Sequence, residues 1–112
     1  MKDRMVYLIT AIECIARIQE YTQGTVLDDF LADRKTQDAV IRNLEIIGQA
    51  LKDYGLDKLV EKDVTTPWHK IAGLRNILAH EYLGVDQVLL WATIEKHLTP
   101  LRDALEKIVA NI

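Results

Sequence analysis

The sequence predicts an all-α fold, an antiparallel bundle of four main helices with one or two short extra helices. Apolar residues recur at three- and four-residue steps nearly everywhere, and no segment shows the sustained alternation that is typical of a strand. Only five glycines and two prolines occur in 112 residues, which leaves few turns and indicates long elements. At this length we expect residues 1–112 to form a single helical domain.

The first predicted helix covers residues 4–22 and carries two apolar series side by side. One series consists of Met5, Leu8, Ile12 and Ile15. The other consists of Tyr7, Ala11, Cys14, Ile18 and Tyr21. Both series could fill the core, or the second could meet another subunit. A helix of a four-helix bundle presents about one stripe to the core, which favours the subunit contact.

The second long helix is predicted from about Thr36 to Tyr54, between two short helical turns at 27–32 and 56–61. Glycines end the two long helices, with Gly24 suited to a left-handed cap and Gly55 as the stop. The apolar side of the second long helix recurs at steps of four and three: Val40, Leu44, Ile47, Leu51 and Tyr54.

The third long helix is predicted to begin with Thr66 as cap and Pro67 at the first helical position, and to run to about Tyr82 before Gly84. The fourth begins at Asp86, and Pro100 either kinks it or restarts it. The predicted apolar side of the third is Trp68, Ile71, Leu74 and Leu78, and that of the fourth begins Val88, Leu89, Trp91, Ile94 and Leu98.

Composition and charge exclude several classes of protein. The single cysteine, Cys14, excludes an internal disulfide framework and a cysteine zinc cluster. A net charge of -3 gives no global basic field, so any contact with nucleic acid needs a local patch. Glu13 and Arg17 interrupt the N-terminal apolar run, which is far shorter than the roughly 20 residues of a membrane span. We therefore expect a soluble, cytoplasmic protein.

Metal chemistry is also disfavoured by the spacing of the histidines. His69 and His80 are eleven residues apart, which is roughly 16 Å along a regular helix, so the two cannot share a zinc ion. His97 has no evident partner in the sequence. We expect no metal and no cofactor.

The residues that remain as candidates for chemistry lie near the end of the third helix: Arg75, Asn76, His80 and Tyr82. Taken singly, an arginine here is a solvated charge, a histidine complements the helix C-terminus, and a tyrosine packs. Taken together, they form the pattern Arg-(four residues)-His-x-Tyr, which is considerably more specific.

This pattern resembles the HEPN superfamily, and within it HepT, the toxin partner of minimal nucleotidyltransferases. The resemblance extends over nearly the whole chain, through Pro67-Trp68, Ile71, Val85-Asp86 and the stretch Ile46-Ile47-Gly48-x-Ala50. Gln49 departs from it, because an acidic residue is expected at that position, and this puts in doubt any role given to that acid.

The resemblance implies an all-helical homodimer that cleaves RNA without a metal, as the toxin of a type II- or VII-like toxin–antitoxin system. It makes Arg75 and His80 catalytic and Asn76 supporting. It also implies neutralisation by a cognate minimal nucleotidyltransferase antitoxin that AMPylates Tyr82.

The chemistry of these side chains allows such a reaction. An RNA strand carries its own nucleophile, the 2′-hydroxyl. His80 can serve as the base or the acid, and Arg75 can hold two phosphate oxygens. On one regular helix, however, Arg75 and His80 are about 140° apart. Either the helix unwinds before Gly84 or the site forms where two subunits meet.

Two other functions remain open. A non-catalytic helical module could hold a nucleotidyltransferase or its substrate, and a plain structural bundle would have no site. The net charge of -3 mildly favours the module, whereas the intact motif from Arg75 to Tyr82 favours the ribonuclease.

Overall fold

The computed structural model describes residues 4–80 and 86–112, and between 75 and 80 it describes the backbone alone. These residues form helices and no strand, which confirms the all-α prediction. The helices are α1 (Met5–Thr22), α2 (Leu27–Leu31), α3 (Arg34–Tyr54), α4 (Leu56–Lys62), α5 (Trp68–His80) and α6 (Gln87–Ala110). Four are long, and α2 and α4 are the short additional helices.

The long helices pack around α1 and α3. Helix α1 packs against both α3 and α6, and α3 packs against both α1 and α5. The short helices cover the ends, α2 against α3 and α6, and α4 against α3 and α5. The rings of Phe30 in α2 and Trp91 in α6 lie 5.1 Å apart between centroids, which fixes α2 beside the first half of α6.

Both apolar series of α1 contribute to the core, and of the second only Tyr21 is exposed, so the predicted subunit contact through the second series is wrong. Ala11, Cys14 and Ile18 of that series have no exposed surface, and neither do Leu8 and Ile15 of the first. The reason is that α1 packs against two long helices, α3 and α6. Burial also raises the pKa of the Cys14 thiol.

Helix α3 follows its sequence pattern closely. All five apolar positions predicted for its core side are buried. Its start is set by Asp33, whose carboxylate accepts hydrogen bonds from the Thr36 backbone N–H at 3.0 Å and from the Thr36 hydroxyl at 2.6 Å. These bonds lower the pKa of Asp33. Gly24 and Gly55 have φ angles of 72° and 118°, so the predicted left-handed conformation of Gly24 is confirmed.

Helix α6 begins where predicted, because the Asp86 side chain accepts hydrogen bonds from the N–H groups of Val88 and Leu89. It then continues through Pro100 without a restart. Pro100 leaves the carbonyl of Lys96 without its helical donor, but both residues are exposed, so water can satisfy that carbonyl.

The core side of α6 differs from the predicted one at its beginning. The buried residues are Leu90, Ile94, Leu98, Leu101, Leu105 and Ile108. Val88 and Leu89, which the sequence assigns to the apolar side, are 53% and 65% exposed, and Trp91 is half-buried. The buried stripe follows the true helical period from Leu90 onwards, and this period places Val88 and Leu89 on the other side.

Within the described ranges, no helix is long and apolar enough to cross a membrane.

Candidate active site on helix α5

The motif helix α5 is held at its N-terminal end by the loop that precedes it. The Ile71 N–H donates to the Pro67 carbonyl at 3.0 Å, so the helix begins at Trp68, one residue later than predicted. The Thr66 hydroxyl donates to Asp63 at 2.7 Å. The prediction of Thr66 as the helix cap is therefore wrong, because the first helical hydrogen bond is accepted by Pro67, one residue later, and the Thr66 hydroxyl donates to the loop.

Asp63 organises this loop. Its carboxylate accepts from the Thr65 N–H at 2.9 Å, from the Thr65 hydroxyl at 2.6 Å and from the Thr66 hydroxyl. These bonds hold the pKa of Asp63 at about 2. The Asp63 carbonyl accepts from the indole N–H of Trp68 at 2.8 Å, and Trp68 is only 1% exposed. One residue therefore fixes the loop and the first side chain of α5.

We expect Asp63→Ala to destabilise the protein at neutral pH, and we expect that loss to become smaller in acid. A folded-state pKa near 2 lies below the ordinary value, so the carboxylate stabilises the fold above about pH 4 and less as the pH falls towards 2. Urea unfolding at pH 7 and at pH 2.5 measures the effect.

The matched control for this variant is Asp103→Ala on α6. Asp103 is exposed and makes no side-chain hydrogen bond within the described part of the chain. An Asp63→Ala variant as stable as the Asp103→Ala variant at pH 7 would show that the loop does not depend on the carboxylate.

The motif residues lie on one continuous helix. Helix α5 runs unbroken through His80, so the backbone of Arg75, Asn76 and His80 is helical. Positions 76 and 80 are one turn apart, and positions 75 and 80 are about 140° apart around the axis. Unwinding between Arg75 and His80 therefore does not bring these two positions together. The predicted modification site, Tyr82, lies outside the described residues.

Helix α5 packs against α3 and α4, with Trp68 buried at its start. Ile71 and Leu74, two of its predicted apolar positions, are half-buried. The side chain of the third, Leu78, lies outside what the structure describes. The described half of α5 therefore anchors the helix through Trp68 and leaves Ile71 and Leu74 only partly covered.

Gln49 is placed on the side of α3 that meets α1. It lines a groove of about 470 Å³ together with Val6, Tyr7 and Thr10 of α1. Its amide N–H donates to the Asp53 carboxylate at 2.9 Å, one turn along α3. Gln49 is thus hydrogen-bonded to an acidic residue on its own helix.

The other two histidines lie apart from any cluster of ligands. His69 and His97 are both exposed. Across residues 4–80 and 86–112, as far as side chains are described, no group of three or more His, Cys, Asp or Glu could hold a metal ion.

The fold and the motif together define a class: small all-helical proteins with an arginine and a histidine five residues apart on one long helix. The family model described as "Ribonuclease HepT-like" matches residues 11–108 of this chain. The chain therefore belongs to the HepT-like ribonuclease family, and the resemblance predicted from the sequence is confirmed.

Individual relatives agree with this assignment. The chain is 42% identical over 103 residues to the "Probable ribonuclease HepT" of Thermococcus cleftensis, covering 91% of this chain and 92% of that protein. It is 35% identical over 109 residues to the "Putative RNase TTE0752" of Caldanaerobacter subterraneus subsp. tengcongensis, covering 97% of this chain and 96% of that one. No solved structure matches the chain significantly.

A third relative is longer than this chain. The "Gamma-glutamylcyclotransferase and putative RNase MJ0434" of Methanocaldococcus jannaschii is 39% identical over 111 residues. The match covers 99% of this chain and 50% of that protein, so the chain spans about half its length.

Proposed function

We propose that this protein is a metal-independent endoribonuclease that acts as the toxin of a toxin–antitoxin pair. The observation that carries the proposal is the HepT-like ribonuclease match over residues 11–108, which contains the whole motif from Arg75 to Tyr82. The relatives named as ribonucleases support the same activity, since two of them are matched over more than 90% of their length.

The proposed reaction uses the 2′-hydroxyl of RNA as the nucleophile. One His80 imidazole takes the proton from this hydroxyl, and the oxygen attacks the adjacent phosphorus. The P–O bond to the 5′-oxygen of the next nucleotide breaks, and an acid donates a proton to that oxygen. The products are a 2′,3′-cyclic phosphate and a free 5′-hydroxyl.

Two further motif residues assist the reaction, Arg75 at the phosphate and Asn76 at the histidine. The Arg75 guanidinium is permanently charged, and its planar fork matches two phosphate oxygens as negative charge accumulates on them. Asn76 is one helical turn before His80, where an amide can hold the imidazole in one tautomer. These roles for Arg75, Asn76 and His80 are part of the proposal.

The reaction requires a base and an acid, whereas each copy of the chain contributes one motif histidine. A two-fold dimer brings two copies of His80 and two of Arg75 to a shared axis. The unbroken helix between positions 75 and 80 supports this arrangement, because the two positions lie on different sides of α5. We therefore include the homodimer in the proposal.

The proposed antitoxin is a minimal nucleotidyltransferase that transfers AMP to the Tyr82 hydroxyl. Position 82 lies about 20° from position 75 around an ideal helix. On a helix that continues to residue 82, the added phosphate would pair with Arg75, and the adenosine would block the cleft. The modification then inactivates the enzyme without unfolding it.

We expect Tyr82→Phe to resist the antitoxin, because phenylalanine offers no oxygen to accept AMP. Intact-mass analysis after co-expression with the neighbouring nucleotidyltransferase should show AMP increments on the wild-type chain and none on the variant. Increments that persist on Tyr82→Phe would move the modification to Tyr7, Tyr21 or Tyr54.

One alternative is a non-catalytic helical subunit that holds a nucleotidyltransferase or its substrate. The net charge of -3 favours it, because RNA-cleaving surfaces are ordinarily basic. Incubation of the pure protein with RNA in EDTA separates the two functions. Cleavage that leaves 2′,3′-cyclic phosphate ends supports the ribonuclease, and intact RNA under these conditions supports the binding subunit.

A further inference from the structure

A pocket of about 430 Å³ lies between the loop that precedes α5 and the last turns of α6. Lys62, Asp63 and Thr65 line one wall, and Lys107 and Asn111 line the other. We call this space the α4–α6 pocket, since Lys62 belongs to the last turn of α4. Its volume is within the range of roughly 300 to 1,000 Å³ that is usual for small-molecule sites.

Two lysines bring positive charge to the α4–α6 pocket. Lys62 and Lys107 are both exposed, and neither ammonium group has an ion pair or a hydrogen bond among the residues that the structure describes. Each lysine lies in the last turn of its helix, where a cation complements the helix dipole. That role accounts for one lysine at each helix end. It does not account for two helix ends that place their lysines around one pocket.

The Asp63 carboxylate does not pair with these lysines. Its Oδ1 accepts from the N–H and the hydroxyl of Thr65, and its Oδ2 accepts from the Thr66 hydroxyl. Among the described residues that line the pocket, two ammonium groups therefore face one carboxylate that is already hydrogen-bonded. The lining has a positive balance in a chain whose net charge is -3, so the pocket is a local site for an anion.

The other lining groups fit an anion that is attached to an apolar body. The Asn111 amide donates one of its two N–H groups to the Lys107 carbonyl at 2.9 Å, which leaves the second N–H for a ligand. Ala104 and Ile108 form an apolar floor between the two lysine-bearing walls. A phosphate has enough oxygens for two ammonium groups and an amide, and a nucleoside can lie on the apolar floor.

We propose that the α4–α6 pocket binds the phosphate group of a nucleotide, with Lys62 and Lys107 on its oxygens. The nucleotide is either free in solution or one unit of an RNA strand, because both present the same phosphate chemistry. The RNA source rests on the proposed function, and the free nucleotide does not.

The proposed site is separate from the motif. Trp68, which is hydrogen-bonded to Asp63, is twelve residues before His80 on α5, and twelve residues of helix rise about 18 Å. A stacked strand rises about 3.4 Å per nucleotide, so about five nucleotides separate the two places on a bound strand. A strand that reaches both must therefore be longer than that.

The test is a chemical-shift titration by NMR of the isotope-labelled full chain. The probes are 5′-AMP, adenosine, and a 2′-O-methyl RNA octanucleotide, which lacks the free 2′-hydroxyl and stays intact. We expect AMP to shift the backbone amide signals of Thr65, Lys107 and Asn111. Adenosine carries no phosphate and should leave these signals nearly unchanged. The response to AMP should weaken as salt is added, because the lysine contacts are exposed to solvent.

The double variant Lys62→Gln/Lys107→Gln should weaken AMP binding at these amides about tenfold, because it removes two exposed charge contacts. Its matched control is Lys58→Gln/Lys96→Gln, which removes the same charge from exposed positions of the same two helices, away from the pocket lining. The control should bind AMP as the wild type does, and circular dichroism should show unchanged helix content in both.

Three results would overturn the proposal. They are wild-type amide signals that do not move with AMP or the octanucleotide, an adenosine response equal to that of AMP, and equal AMP affinity in the two double variants. The first removes the site, the second removes the phosphate from its recognition, and the third removes the two lysines.

The octanucleotide identifies the source of the phosphate. Binding tighter than that of AMP at the same amides, lost in Lys62→Gln/Lys107→Gln, supports the site as a contact for an RNA strand. A response to AMP with none to the octanucleotide supports it as a site for a free nucleotide. These titrations do not depend on cleavage. A wild type that binds AMP here and leaves RNA intact in EDTA keeps this site and loses the ribonuclease, and cleavage without the pocket response does the reverse.

Discussion

His80→Ala and Arg75→Ala should each reduce RNA cleavage by a factor of about 10² to 10³ or more while leaving the fold intact. In the proposed mechanism, the first variant removes the group that moves the proton, and the second removes the positive charge beside the reacting phosphate. Cleavage of a labelled RNA in EDTA gives the rates, and circular dichroism shows whether each variant keeps its helices. Toxicity on expression should fall in parallel.

The chain provides its own controls for this prediction. His69 and His97 are exposed and do not belong to the motif, so His69→Ala and His97→Ala should be nearly silent. A His69→Ala variant as inactive as His80→Ala would mean that the working histidine has been misassigned. Arg102→Ala is the corresponding control for Arg75, because Arg102 is occupied by hydrogen bonds to Glu106 and Gln19.

Trp68→Ala should lower the free energy of unfolding by about 3 to 5 kcal/mol, the usual cost of removing a large buried aromatic side chain. Trp68 is 1% exposed, and its indole N–H donates to the Asp63 carbonyl, so the variant leaves a cavity and an unpaired carbonyl. Typical domains have a total stability of only about 5 to 15 kcal/mol, so much of the protein should unfold at moderate urea concentrations. Urea unfolding followed by circular dichroism measures the loss.

Trp68→Phe separates the two contributions. It keeps most of the buried volume and loses the hydrogen bond, so its destabilisation should be well below that of Trp68→Ala. A Trp68→Ala variant within about 1 kcal/mol of the wild type would show that this end of α5 is not held as the structure indicates.

Much of the fold follows from local patterns that the sequence displays directly. The buried stripe of α3, the Asp86 cap and the left-handed Gly24 depend on residues within a few positions of one another, and all three are confirmed. The two stripes of α1 were harder to interpret. Their spacing shows that both are apolar but does not show how many neighbours the helix has, and the second neighbour, α6, is about 80 residues away.

The errors at the ends of α5 and α6 have a related origin. Thr66 has a suitable side chain for a cap, but the first helical hydrogen bond is accepted by Pro67, one residue later, and the Thr66 hydroxyl donates to Asp63 within the preceding loop. At the start of α6, five consecutive apolar residues, 88–92, contain two overlapping stripes. The correct stripe is the one that continues at helical spacing from Leu90 to Ile108.

The sequence supplies the candidate residues of the site, which stay a prediction, and does not supply their geometry. Arg75, His80 and Tyr82 stand out by residue type and spacing, and the family match agrees with the pattern. In the proposed dimer their relative orientation depends on how two chains meet, and single-helix periodicity contains no information on that. The sequence does not reveal the contact between Asp63 and Trp68 that positions α5. Their hydrogen bond joins a side chain to a backbone carbonyl, so it does not depend on the residue type at position 63.

The measurement that tests the central claim most directly is the cleavage of two matched oligonucleotides in EDTA, one all-RNA and one with 2′-deoxyribose at the cleaved position. The proposed mechanism predicts that the pure wild-type protein cleaves the all-RNA strand and leaves a 2′,3′-cyclic phosphate by mass spectrometry, while the deoxy strand stays intact at that position. Cleavage of the deoxy strand at the same bond, or cleavage that appears only when a divalent metal is added, would contradict a metal-independent reaction through the 2′-hydroxyl.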